Sequence, residues 1–270
     1  MTFAERGLPT SLVPNRDIGV KVHGELFDKL VEYAVGVYNG VPNGSSGDID
    51  SNNEKDVAGR LFLHPFITTG IEPLEGFGIG IAATRGTQSN GLATYRSSGQ
   101  EAYFTFVDDA IADGRRVLWT PQGYYYFGPL GLLAEYVRVT EHTTNGTTPN
   151  EMTSEAWQIA GSVVVYGGKP SYKGVTVDHP LDPEQGDLGA FELAARYGEL
   201  HVSSDVYGTG QADPTVAANR ASAWAVGFAW HFATRVKALV NYEHTSFHRG
   251  AVSGDRQTEG LLVTRLQVAF

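Results

Sequence analysis

Seven basic side chains, Lys21, Arg60, Arg116, Arg196, Arg235, Lys237 and Arg265, stand at the polar positions of segments whose intervening positions are apolar. Five acidic ones, Glu25, Glu32, Glu135, Glu192 and Glu243, belong to the same polar set. Seven against five leaves +2 on this face; the whole chain carries −10, so all other positions together carry −12. The chemistry open to such a set is electrostatic, because basic side chains around a narrow water-filled passage raise its potential and concentrate anions. The competing reading is that the arginines and glutamates pair across neighbouring strands and fill space. Arg196, Lys237 and Arg265 are the strongest candidates for an anion pathway, followed by Arg60, Arg116, Lys21 and Arg235.

Covalent and metal chemistry find little support. The chain has no Cys, which removes disulfides, thiolate metal sites and Cys nucleophiles together. Its eight His show no H-E-x-x-H spacing, and no G-x-S-x-G, Walker A or dinucleotide fingerprint occurs in the strand and helix context it requires. Asp48-x-Asp50-x-Asn52 resembles the opening of a calcium loop, but its sixth position is Asn53 and its twelfth Gly59 where Gly and Glu are required. No catalytic residue, cofactor or metal site is therefore expected. An excess of 30 Asp and Glu over 20 Lys and Arg argues against a nucleic-acid partner.

The elements that must carry the charged positions are strands. From Ala223 to Phe232 the even positions are Trp224, Val226, Phe228, Trp230 and Phe232 while the odd ones are small, a period of two. Leu262, Leu266, Val268 and Phe270 repeat the beat against Arg265 and Gln267, as do Val236, Ala238, Val240 and Tyr242 against Arg235, Lys237 and Asn241. Such runs lie near 17–27, 30–40, 57–67, 76–85, 115–127, 131–141, 153–167, 188–201, 221–233, 235–247 and 258–270, eleven in all. Many are long enough to cross a bilayer at a tilt, whereas no run of 18 apolar residues offers a transmembrane helix. Long polar links at 41–56, 86–114, 142–152, 202–220 and 248–257 alternate with shorter ones, 168–187 being a long exception on the short side. That asymmetry, with aromatics near strand ends, predicts an outer-membrane antiparallel β-barrel rather than a β-sandwich.

Specific strings carry this further. GAFELAARYGEL at 189–200, PQGYYYFGPLGLLAEYV at 121–137, the opening ERGLPTSLVPNRDIGVKVHGEL and the terminal LLVTRLQVAF resemble the phosphate-selective porin O and P family. The resemblance implies a 16-stranded, homotrimeric barrel in the outer membrane of a Gram-negative cell, surrounded by lipid and passing small anions such as phosphate. Eleven strands then form the C-terminal part of one barrel domain spanning 1–270. Sixteen strands, as the resemblance implies, leave five to be expected before Met1 along with any signal peptide, and eleven alone could not close, because an antiparallel barrel needs an even number. Residues 1–16 become the tail of the outside loop that in this family folds inward and constricts the pore. The alternatives are a structural or adhesive barrel whose loops bind partners and, with no motif to support it, a barrel enzyme.

Overall fold

The computed structural model describes residues 2–47, 53–89, 91–146 and 148–269. Asp48, Asp50 and Asn52 of the calcium-like string, and the terminal Phe270, lie outside them. A short 3-10 turn (Leu8–Leu12) is followed by β1 (Gly19–Leu26), β2 (Val31–Tyr38), β3 (Asp56–Leu63), a one-turn helix α1 (Glu72–Glu75) and β4 (Phe77–Gln88). Then come β5 (Tyr95–Arg96), β6 (Ala102–Phe104), β7 (Ile111–Phe127), β8 (Leu130–Thr144), β9 (Pro149–Tyr166), β10 (Gly168–Ser171) and β11 (Gly174–Val177). The chain continues through β12 (Ala190–Val202), α2 (Asp205–Gly208), β13 (Ala218–Ala233), β14 (Val236–Ala251), β15 (Gly254–Asp255) and β16 (Glu259–Val268).

Eleven of these strands, taken in chain order from β1 to β16, form one antiparallel sheet in which each long strand pairs with the next long one. β15 is a two-residue extension on β14, while β5–β6 and β10–β11 are separate hairpins. The alternation thus yields the expected strand set, but the outer ends of the strands are longer than it implied. β8 and β9 run to Thr144 and from Pro149, so the expected polar link 142–152 shrinks to 145–148. The residues responsible are polar yet strand-forming, Thr140 lying opposite Thr153 and Glu141 opposite Met152.

One row of side chains marks where the surroundings of the sheet change. Trp119, Tyr136, Trp157, Tyr197, Trp224 and Tyr242 sit on six consecutive strands and touch in pairs, with centroids 5.3 Å apart for Trp119–Tyr136, 5.5 Å for Trp157–Tyr197 and 5.6 Å for Trp224–Tyr242. Tyr136 lies opposite Trp157, and Tyr197 opposite Trp224, which closes the row across the remaining strand boundaries. Toward the short links the outer face is apolar and exposed, with Leu130, Leu132, Ile159, Leu193, Val226 and Phe228. A second aromatic cluster, Tyr166, Phe191, Trp230 and Phe232, ends that face. Six to eight residues separate Trp224 from Trp230 and Phe232, roughly 20–26 Å along the strand, the scale of a ~25 Å apolar band between two aromatic girdles.

Toward the long links the polarity inverts on the same strands. Arg138 and Glu155 face outward and pair at 2.9 Å, while Val137, Val139, Met152, Leu200 and Val202 turn inward and are fully buried. Their cover is the link between β4 and β7, whose Tyr95, Tyr103, Phe104 and Phe106 pack on them together with Leu8 and Leu12. The expectation of a polar outside loop over 86–114 is therefore corrected: its aromatic string folds in against the wall. Burial pushes the Tyr103 phenol well above its ordinary pKa.

Candidate functional site

Residues 2–16 cross the inner face as a strap. Ala4 N donates to Asn241 Oδ1 at 2.7 Å, Glu5 O accepts from Arg196 Nη1 at 3.0 Å, and Glu5 Oε1 meets Arg265 Nη2 at 3.1 Å. Phe3 lies under the Arg196 guanidinium, 4.6 Å from its ring centre. The strap touches the wall closely at Gly7, where a Cβ would stand 1.9 Å from Gln158 Oε1 and would have to push that side-chain amide aside. Pro9 sets the backbone of the 3-10 turn that follows, and Leu8 and Leu12 anchor it.

Two cavities flank the strap and share Glu5, Arg6, Gly7 and Thr10 as lining. The one facing the long links has a volume of about 780 Å³ and is walled by strap residues, 42–46 and 91–100. Its charged groups are Arg6, Arg16, Arg96 and Arg265 against the single carboxylate of Glu5, so four minus one leaves +3. Arg6 Nη1 donates to Asn15 Oδ1 at 3.2 Å and Arg96 Nη1 to Gln100 O at 2.8 Å, contacts that orient the guanidinium groups without cancelling their charge. The other cavity, of about 610 Å³, lies toward the short links and is charge-balanced: Glu5, Glu135 and Glu192 against Arg6, Arg196 and Lys237.

The seven basic residues read from alternation fall into different surroundings. Lys21 is exposed on β1, on the face opposite Val20 and Val22. Arg60 lies 3.9 Å from Glu32 and over the Phe62 ring. Arg196 is held by Glu243 Oε2 at 2.5 Å and by the strap. Lys237 lines the balanced cavity beside Glu192 and His231, which bond to each other at 3.1 Å. Arg265 borders the basic cavity, engaged by Glu5.

Two of the seven depart from expectation. Arg116 is 1% exposed, sealed between Asp56, Val41 O and Asn43 Oδ1, so its charge is spent inside the protein rather than offered to a passage. Arg235, expected as the first residue of the run 235–247, sits instead in the exposed turn between β13 and β14, one residue before β14 begins. Arg235→Ser is expected to change stability by less than about 0.5 kcal/mol, as for an ordinary surface site, and to leave ion selectivity unchanged. Urea unfolding and a reversal-potential measurement check both.

Arg6, Arg16 and Arg96 were missed because none lies in an alternating run. For Arg6 and Arg16 the signal available was the ERGLPTSLVPNR string itself, punctuated by Pro, on a segment expected to fold inward; Arg96, in the link 86–114, had none. Among the described residues no group of three or more His, Asp or Glu is assembled to hold a metal ion.

A family model described as phosphate-selective porin O and P matches residues 1–270. Among solved structures, the fold is similar to the outer membrane channel DcaP of Acinetobacter baumannii at 10% identity and a TM-score of 0.54, covering 92% of this chain and 62% of that one. It is also similar to in-vitro folded OmpT, an outer membrane protein of Vibrio cholerae, at 12% identity and a TM-score of 0.50, covering 91% and 60%. The chain thus spans less than two thirds of the length of either structure. No curated protein sequence matches it.

Proposed function

The chain belongs to the phosphate-selective porin O and P family, and we propose that it contributes the wall and constriction of a passive channel for small anions, phosphate among them, in the Gram-negative outer membrane. The observation that carries the anion preference is the four-arginine cavity beside the strap, with Glu5 its only carboxylate. Most wall arginines are neutralised by Glu32, Asp56, Glu243 and Glu5. Selectivity therefore belongs to the strap and to the inturned link between β4 and β7. An anion entering from the long-link side meets Arg16 and Arg96 first, then Arg6, the exposed cation shared by both cavities, and then Lys237 beyond the strap. The family resemblance extends the proposal to a homotrimer.

The test is the reversal potential of protein purified from outer membranes and placed in planar bilayers under a potassium chloride gradient. Near 0.1 M, where the Debye length is about 10 Å, the potential should have the sign of anion selectivity; near 1 M, where it is about 3 Å, the preference should fade. A cation-selective or non-conducting protein overturns the reading.

A further inference from the structure

The cavity on the short-link side has a chemistry different from the arginine cavity, and we propose that it is a subsite for a sugar ring. Its distinguishing wall is aromatic. The β10–β11 hairpin turns back over the inner face, with Val175 and Val177 buried against Val164 and Ala190, and this places Tyr172 at its tip. The Tyr172 ring lies nearly parallel to Tyr124, 4.4 Å between centroids at 17°, and also against Phe62 at 6.2 Å and 29°, Tyr124 and Phe62 standing side by side at 5.4 Å. Tyr124 is in turn fixed by its hydroxyl on His64 Nδ1 at 3.0 Å. Tyr172 remains 49% exposed and lines the cavity together with Tyr126. A flat ring backed by two further stacked rings is a preorganised platform, and it loses little entropy when a second ring lies on it.

The rest of the lining supplies acceptors for hydroxyl groups. Glu135 accepts from Gln158 Nε2 at 2.6 Å and Glu192 meets His231 Nε2 at 3.1 Å. Each of these bonds orients a carboxylate while leaving it lone pairs for further donors, since an ionised carboxylate accepts at about four sites. Three acidic against three basic residues leave this cavity without net charge, unlike the arginine cavity. An apolar ring face beside oriented carboxylates suits a solute that is itself a ring edged with hydroxyls. Its volume of about 610 Å³ is within the roughly 300–1,000 Å³ usual for small-molecule sites.

The inference does not rest on the anion reading, and binding can be measured without conduction. Saturation-transfer NMR on detergent-solubilised protein from outer membranes would use glucose as probe, with mannitol as a polyol lacking the ring. Glucose should show ring-proton transfer and mannitol none, and inorganic phosphate at equal concentration should not displace the glucose. Tyr172→Ala should weaken glucose binding roughly tenfold, the scale of a lost aromatic contact, and Tyr172→Phe should hold it within about twofold. Should Tyr172→Ala lose the heat-modifiable mobility of a folded barrel, Glu135→Gln carries the test: it removes a charged acceptor but keeps the shape, and a several-fold loss is expected. Equal transfer to mannitol, displacement by phosphate, or binding indifferent to Tyr172 and Glu135 would each overturn the sugar subsite. If glucose fails to bind while anion selectivity persists, the channel reading stands and the subsite alone is wrong.

Discussion

Arg116→Ala should destabilise the folded protein by about 3–5 kcal/mol, the cost of removing one partner of a buried ion pair and leaving the other charge behind. The side chain is 1% and Asp56 2% exposed, and their contact is 2.5 Å. Arg116 also donates to Val41 O at 2.9 Å and to Asn43 Oδ1 at 3.3 Å, so it ties the chain after β2 to the wall strands β3 and β7. Glu141, opposite Arg116 in the ladder and itself buried, would lose its nearest counter-charge as well. Replacing both members, Arg116→Met with Asp56→Leu, should cost clearly less than the two single changes added together, because an apolar pair of similar volume removes the uncompensated charge. Urea midpoints of the singles and the double, followed by tryptophan fluorescence, measure this. Additive losses would show that Arg116 and Asp56 do not stabilise each other.

Most of the fold was legible because its code is short-range. Alternation with period two names each long strand and the face of each residue, so Lys21, Arg60, Arg196, Lys237 and Arg265 fall on the face opposite the exposed apolar positions. What alternation does not report is what each face meets. On β8 the apolar positions are Leu130, Leu132 and Tyr136, then shift phase to Val137 and Val139, and the shift falls at the aromatic row. Below it the outer face is apolar as lipid requires. Above it the wall stands in water, and the inner face is apolar because Tyr95, Tyr103 and Phe104 lie on it. The phase shift was present in the sequence. A rule that assigned every polar position to a wet lumen passed over it.

The same limitation explains the candidate residues. Arg116 is on the inner face, as its position in β7 dictates, but above the aromatic row that face is a packed core, so a charge there must be paired and buried. Arg196 illustrates pairing of another kind. Its partner Glu243 is 47 residues away on β14, with β13 between them, a relation that strand order supplies and local pattern does not. Arg6, Arg16 and Arg96 belong to segments without a repeat, and only the tertiary fold brings the strap and the inturned link together.

Selectivity should therefore respond to those three arginines more than to the wall. Changing Arg6, Arg16 and Arg96 to Glu takes the cavity from four cations and one carboxylate to one and four, from +3 to −3. All three are exposed, so folding should survive, and the reversal potential near 0.1 M salt should change sign. Arg196→Glu should behave differently. It sets two carboxylates against each other where Arg196 and Glu243 are only 8% and 7% exposed, and it releases Glu5 O and the Phe3 ring, so loss of folding rather than altered selectivity is expected. Planar-bilayer recordings of the two variants beside the parent, each first checked for heat-modifiable mobility, separate the cases. A triple variant that folds and keeps the parent's anion-to-cation permeability ratio would remove the strap cavity from the ion pathway. A folded Arg196→Glu protein with reversed selectivity would return the pathway to the wall, because it would mean that the Arg196–Glu243 pair opens to the passing ion instead of holding the strap in place.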